Sequence, residues 1–170
     1  MIRNRSSSIM GSAALFVLLV STPALAQDNG ARPIGFGPIA GYDLDFSKLF
    51  LGGAFRIGLP LLIAENPVLL DADFEYYLDT PGVTVFSIQA AGLVPLVLQG
   101  SPVRPVVGAG LNYFRSSVST ALGSFSSSNI QLALVGGIMV RAFFADLNLR
   151  VGDGSTAVVR VGFLALGNMM

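Results

Sequence analysis

The stretch Leu69–Asp79, LLDADFEYYLD, alternates acidic and apolar side chains. Three of its acids, Asp71, Asp73 and Glu75, stand at alternate positions, and the residues between them are apolar or aromatic. Period two is the side-chain period of a β-strand, so the stretch predicts a strand with one acidic and one apolar face. The fold depends on which of these faces meets water and which meets an apolar medium.

The same alternation recurs along the chain beyond residue 27. In LFLGGAFRIGL at 49–59, for example, Leu51 and Phe55 alternate with Ala54 and Arg56. In every segment one face is apolar, and the other carries glycine, small or charged residues. With the first stretch, the further segments at 34–46, 49–59, 86–91, 104–114, 130–141, 143–151 and 159–163 make eight predicted strands.

The charged residues share their face with the glycines, and this predicts which face is inside. A soluble antiparallel barrel would turn its apolar face inward and its polar face to water, but only 12% of this chain is charged. Small and charged residues together fit a narrow lumen, so we expect the apolar face to meet lipid. A basic residue on the lipid face would cost roughly 2–4 kcal/mol at the bilayer midplane.

The predicted fold class is therefore all-β, an eight-stranded antiparallel up-and-down transmembrane β-barrel. Helical membrane spans are the alternative, because 94–98 and 130–140 are quite apolar. Both runs are shorter than the roughly 20 residues of a membrane-spanning helix, which favours the barrel.

The N-terminus has the organisation of a secretory signal peptide. Arg3 and Arg5 precede an apolar run at Ala13–Val20 and an A-x-A cleavage site at 24–26. An uncleaved anchor is the alternative, although the apolar run is short for a bilayer span. Losing two of the ten basic residues leaves eight against ten acids, a balance that does not indicate nucleic-acid binding. The predicted domains are a cleaved signal peptide at 1–26 and a barrel at 27–170.

Acids and arginines occur in near balance on the predicted inner face. Buried charges persist when they are paired, and the guanidinium group binds carboxylates bidentately, so we predict a lumen filled by ion pairs. Two alternatives stay open: the pairs gate a narrow water path, or Asp71, Asp73 and Glu75 bind a cation. The predicted network comprises Asp43, Asp45, Arg56, Asp71, Asp73, Glu75, Arg104, Arg141, Asp146, Arg150 and Arg160.

Aromatic residues cluster toward the two ends of the predicted strands, which is typical of the interfacial girdles of membrane barrels. All four tyrosines, with Phe46, Phe50, Phe86 and Phe114, fall toward one rim, and Phe36, Phe55, Phe143, Phe144 and Phe163 toward the other. The predicted interfacial set is Tyr42, Phe46, Tyr76, Tyr113, Phe143 and Phe163.

Most connections at the rim that carries the tyrosines look tight. Turn residues occupy 47–48, 79–82 and 152–155. Only Ser116–Ser128, SSVSTALGSFSSS, is long, and its serine content predicts a flexible loop that either binds a partner or is simply solvated.

The composition excludes several kinds of enzyme. The chain has no histidine and no cysteine, so it lacks the base of Ser–His acyl transfer and any thiolate or disulfide. The glycine-rich stretches at 35–41 and 108–110 lack the Lys-Ser/Thr of a phosphate-binding loop. We predict a protein that is not an enzyme, with no cofactor and no metal.

The signal-peptide pattern, IGFGPIAGYDLD at 34–45 and RPVVGAGLNYF at 104–114, followed by a serine-rich stretch, resembles the small OmpA/OmpX-type barrels. The resemblance implies a Gram-negative outer membrane, contact with its lipid and insertion by its assembly machinery. It also implies a role in membrane integrity or surface interaction. We predict a monomer with that kind of role and a lumen plugged by Asp/Glu–Arg pairs. The alternative is a narrow porin-like channel for small solutes or ions.

Overall fold

The computed structural model describes residues 33–78, 82–96, 98, 100–120 and 123–168. The predicted signal peptide lies outside them, as do residues 79–81 of one predicted turn. No helix within these ranges is long and apolar enough to cross a membrane. The strands of the described residues are β1 (Pro33–Asp43), β2 (Lys48–Ile63), β3 (Asn66–Tyr77), β4 (Val83–Pro95), β5 (Val103–Thr120), β6 (Gly123–Val140), β7 (Phe143–Val151), β8 (Thr156–Phe163) and β9 (Ala165–Asn168).

Antiparallel pairing joins these strands into one closed ring. Each strand from β1 to β8 pairs with the next, and β8 and β9 both pair with β1. The pairs Ile39–Gly162 and Phe36–Ala165 keep one register, so β8 and β9 together form the eighth strand of the barrel. They are interrupted at Leu164, beside Pro38, which has no amide hydrogen for the ladder. The prediction of an all-β barrel with eight antiparallel strands around the ring is confirmed.

Burial alternates along the strands as the sequence predicts. On β3, Asp71 and Glu75 have no exposed surface, whereas Leu70 and Phe74 on the other face are 39% and 47% exposed. A barrel with buried carboxylates and exposed large apolar side chains is the reverse of a soluble one. The acidic face of the opening stretch therefore points into the lumen, and the apolar face forms the outside of the barrel.

Glycines on the inner face allow neighbouring strands to approach closely. A Cβ at Gly37 would overlap the backbone carbonyl oxygen of Phe163, and one at Gly52 would overlap that of Phe74. On the outer face, a Cβ at Gly136 would meet open space. The inner glycines therefore relieve contacts between strands as well as limiting bulk in the lumen.

The serine-rich segment is part of a β-hairpin. β5 and β6 pair without a register shift from Val103–Val140 to Thr120–Gly123, and β4 follows β5 as far as the pair Val83–Val118. The pairing of β7 with β6 stops at Leu132–Val151, so the hairpin extends past β7. The predicted flexible loop at Ser116–Ser128 was wrong, because cross-strand pairing of a long hairpin outweighs the turn-like composition of serine.

Candidate functional site in the barrel lumen

Two arginine–carboxylate pairs join adjacent strands inside the barrel. Arg56 of β2 lies opposite Asp71 of β3, and its Nε donates to Asp71 Oδ1. Arg160 of β8 lies opposite Asp146 of β7 and donates through two nitrogens, Nε to Oδ1 at 2.7 Å and Nη2 to Oδ2 at 3.2 Å. Strand register alone places these partners together along the wall.

Two further pairs cross the lumen. Arg150 of β7 donates from Nη2 to both carboxylate oxygens of Glu75 on β3, at 2.6 Å each. Arg160 reaches from β8 to Asp73 on β3 and donates to it from Nη1. β3 lies across the ring from β7, so these contacts tie opposite walls of the barrel.

Arg160 is the centre of this network. It is fully buried, and beyond Asp73 and Asp146 its Nη2 lies 3.7 Å from Asp71 Oδ2 and its Nη1 lies 3.6 Å from Glu75 Oε1. One guanidinium thus faces four carboxylates. With Arg56 and Arg150, the network holds three arginines against four acids, so it keeps one formal negative charge.

Asp71, Asp73 and Glu75, the alternating acids of the opening stretch, each have an arginine within ion-pair distance. Asp71 pairs with Arg56, and the other two bind arginines from the far wall, as described above. Among the described residues no group of three potential metal-ligating side chains is present. Asp71 Oδ1, Asp73 Oδ2 and both oxygens of Glu75 accept hydrogen bonds from guanidinium groups, whereas Asp71 Oδ2 and Asp73 Oδ1 accept none from the described residues.

Asp43 lies at the end of this network nearest the β1–β2 turn and is fully buried. It accepts hydrogen bonds from Thr156 Oγ1 at 2.5 Å and from the Tyr77 hydroxyl at 3.2 Å. The Tyr77 hydroxyl in turn accepts one from Arg150 Nη1 at 3.0 Å. Asp43 is therefore connected to the ion pairs through a phenol.

Four aromatic rings cover the network at the end of the barrel where β1 meets β2. Phe50 packs on Tyr77 with ring centroids 5.4 Å apart, and Tyr77 meets Phe114 edge-on at 5.9 Å. Phe46, in the β1–β2 turn, stacks on Phe114 of β5 at 5.8 Å. Because β1 and β5 lie on opposite sides of the eight-stranded barrel, this aromatic cap spans the opening of the lumen.

Amide side chains and apolar groups fill the rest of the interior. Asn148 donates to Gln89, and Asn112 Nδ2 donates to Gln131 Oε1 at 3.0 Å. The guanidinium of Arg56 lies 3.9 Å from the centroid of the Phe144 ring, within reach of a cation–π interaction. Toward the end opposite the aromatic cap lies an apolar cluster of Leu69, Ala91, Leu93, Val106 and Val135.

Three residues of the predicted lumen network lie outside it. Asp45 is exposed in the β1–β2 turn, where its carboxylate accepts the backbone N–H of Ala157 at 2.8 Å. Arg104 is exposed near the start of β5, and Arg141 is exposed in the β6–β7 turn with φ 55°. These three residues continue the alternation of their strands, but they lie at or beyond the strand ends, where the side chains reach solvent. Period two alone therefore cannot predict whether such a side chain lies in the lumen.

Most of the predicted interfacial aromatics lie on the outer surface. Tyr42, Tyr76, Phe143 and Phe163 are exposed, and the Phe143 and Phe163 rings pack 5.1 Å apart. Tyr113 is partly exposed. Phe46 differs from the others, because it stacks within the aromatic cap.

Four aromatics assigned to the girdles point inward instead: Phe50, Tyr77 and Phe144 are buried, and Phe114 packs on Tyr77 in the aromatic cap. The alternation along each strand already predicted this inward orientation. Tyr77 follows Glu75 at the two-residue spacing of the acidic face, and Phe144 follows the outward Phe143. The assignment to the girdles was wrong for these four, because it used position along the strand and ignored parity.

The solved structures that resemble this one include two barrels that this chain spans almost completely. The N-terminal β-barrel domain of Pseudomonas aeruginosa OprF matches with a TM-score of 0.59 at 17% identity, over 80% of this chain and 99% of that one. Ail, the attachment invasion locus protein of Yersinia pestis, matches with a TM-score of 0.53 at 16% identity, over 82% and 97%. The chain has the fold of the small eight-stranded outer-membrane β-barrels. No family model matches it, and no curated protein matches its sequence.

Proposed function

We propose that the protein is a monomeric barrel of the bacterial outer membrane whose lumen is closed by ion pairs. Its role is structural or surface-interacting, without catalysis. The single observation that carries the proposal is Arg160, which is fully buried and contacts acids on both β3 and β7. A lumen crossed by such contacts and covered by the aromatic cap leaves little room for solute passage.

The remaining parts of the proposal follow from the fold and the outer surface. Exposed apolar side chains around the ring require lipid, and the known barrels of this fold are outer-membrane proteins. A chain of this kind reaches its membrane through a cleaved signal peptide at 1–26 and the outer-membrane assembly machinery.

Conductance across a planar lipid bilayer tests whether the lumen is closed. We expect the unmodified protein to give no channel events. Arg150→Ala shortens the side chain that binds Glu75 across the lumen, so it is expected to produce small cation-selective events, because the acids then outnumber the arginines further. Arg115→Ala, at an exposed arginine of β5, is the matched control and should stay silent. Conductance by the unmodified protein would contradict the closed-lumen proposal.

A narrow channel is the second candidate, and one observation favours it. Several buried polar atoms have no hydrogen-bond partner among the described residues, including Gln89 Nε2, Asn112 Oδ1 and Asn148 Oδ1. Buried polar groups of this kind commonly bind water, and a file of water could conduct ions. Under this candidate the unmodified protein conducts, and Glu75→Gln reduces its preference for cations over chloride.

A further inference from the structure

An open apolar groove lies on the outer surface of the barrel across β1, β2, β6, β7 and β8. Its volume is about 550 Å³, within the roughly 300–1,000 Å³ of small-molecule sites. The small residues Ala40 and Ala145 lie between the larger side chains of Leu51, Phe143 and Phe163 along its lining. The lining contains no charged side chain, so the groove suits a hydrocarbon chain.

One end of the groove is next to a positive charge. Val140 and Phe143 both line the groove and pair with each other across the β6–β7 hairpin. Arg141 is the first of the two residues that connect them, and it is exposed. Among the described residues it belongs to no salt bridge within 4.0 Å, unlike the buried arginines of the lumen.

The same rim carries a second exposed arginine. Val103 pairs with Val140, and Arg104 is the next residue of β5, opposite Met139. Arg104 therefore lies close to the same turn as Arg141. The other charged residue described at this rim is Glu65, in the β2–β3 turn. The rim beside the groove is thus positive, and it complements an anionic group.

We propose that this groove and Arg141 form a binding site for an anionic phospholipid. One acyl chain occupies the apolar groove, and the phosphate lies against the guanidinium of Arg141, with Arg104 adding to the local positive potential. The attraction between one basic residue and an anionic membrane surface corresponds to about a fivefold change in the binding equilibrium. The site rests on the proposed outer-membrane location and does not depend on whether the lumen is closed.

Tryptophan fluorescence provides a direct test, because the chain contains no tryptophan. Phe143→Trp places a single reporter in the wall of the groove. Leu70→Trp places one on the outward face of β3, away from the groove. Each variant is folded into phosphatidylcholine vesicles that contain a minor fraction of dibrominated lipid, either phosphatidylglycerol or phosphatidylcholine, and quenching is compared at equal mole fraction.

We expect brominated phosphatidylglycerol to quench the Phe143→Trp reporter more strongly than brominated phosphatidylcholine, with a severalfold lipid enrichment. Arg141→Gln in the same background should remove most of this preference, and Arg115→Gln should retain it. Arg141→Gly is a second variant that suits the positive φ of the turn and should behave as Arg141→Gln does. The Leu70→Trp reporter should show no preference.

Equal quenching by the two lipids in a barrel that is folded, as shown by its gel mobility before and after boiling, would overturn the anionic-lipid site and leave the closed lumen untouched. A preference that survives both Arg141 substitutions would also overturn it. A chain that does not insert into vesicles at all would contradict the membrane location, and this site with it.

Discussion

Arg160 shows how one residue can organise the interior of a narrow barrel. Its nitrogens contact carboxylates on β3 and β7, and the side chain has no contact with solvent. Removing one member of a buried ion pair is costly because the remaining charges lose their compensation while they stay desolvated. Here one guanidinium compensates several acids, so its loss affects the whole network.

We predict that Arg160→Met lowers the free energy of unfolding by about 3–5 kcal/mol. Methionine keeps much of the side-chain volume, so the effect reports the charge rather than a cavity. Urea titration of the protein in lipid vesicles, followed by far-ultraviolet circular dichroism, measures the change. The exposed Arg115→Met should stay within about 0.5 kcal/mol of the unmodified protein. Equal stability of both variants would mean that the network is not coupled to folding.

Alternation in the sequence identified the seven charged residues of the ion-pair network, but it could not determine their pairing. Arg56 and Asp71 meet because of strand register, which a single strand's pattern does not contain. Arg150 and Glu75 meet across the lumen, which depends on the curvature and stagger of the closed ring. The pattern also assigned Arg104 and Arg141 to the lumen, because both continue the inward parity. They are exposed, because they lie at the rim where the strands end.

At the scale of strands, the glycines of the inner face control how closely neighbouring backbones approach. Gly37 of β1 has no room for a methyl group beside the carbonyl oxygen of Phe163. Gly136 of β6, on the outer face, has open space. Composition alone cannot separate these two kinds of glycine, but parity does, because Gly37 shares the inward face with Asp43 and Gly136 shares the outward face with Leu134.

We expect Gly37→Ala to destabilise the barrel by about 1–3 kcal/mol, the usual cost of overpacking, because the β1 and β8 backbones must move apart. Gly136→Ala is the matched control and should have little effect. Urea midpoints of the two variants in the same vesicles make the comparison. A Gly37→Ala barrel as stable as the control would show that the strand spacing adapts without cost.

The β5–β6 hairpin makes a prediction about proteolysis. Phe125 is 67% exposed, yet it lies in a paired strand opposite Val118. Proteases cleave flexible loop segments in preference to paired strands, so chymotrypsin should cut after Phe125 much more slowly in the folded barrel than in boiled protein. Mass spectrometry of the fragments identifies the cleavage site. Rapid cleavage there in the folded protein would restore the flexible loop that the serines suggest.

At the scale of the whole molecule, the closed ring is the feature that alternation predicted best. Eight alternating segments separated by turn signals predicted the number and order of the strands around the barrel. The break between β8 and β9 was not predicted, because it arises where Pro38 of the paired strand lacks an amide hydrogen, and that requires knowledge of which residues are opposite.

A closed ring of hydrogen bonds should resist sodium dodecyl sulfate at room temperature. We expect the folded protein to migrate differently on a gel before and after boiling, because detergent cannot easily open a sheet without edges. Circular dichroism of the unboiled sample in the same detergent should still show β-structure. Identical mobility in the two lanes would argue against a closed barrel in membranes.

The pairing of Ile39 with Gly162 also has a consequence for the order in which the barrel is assembled. Until Thr156–Phe163 has joined the sheet, β1 lacks one of its two neighbours, and the incomplete sheet has two open edges. Such edges pair readily with other chains, and contacts between distant parts of a chain form late. A nonsense mutation ahead of β8 should therefore yield an aggregating fragment rather than a smaller working barrel.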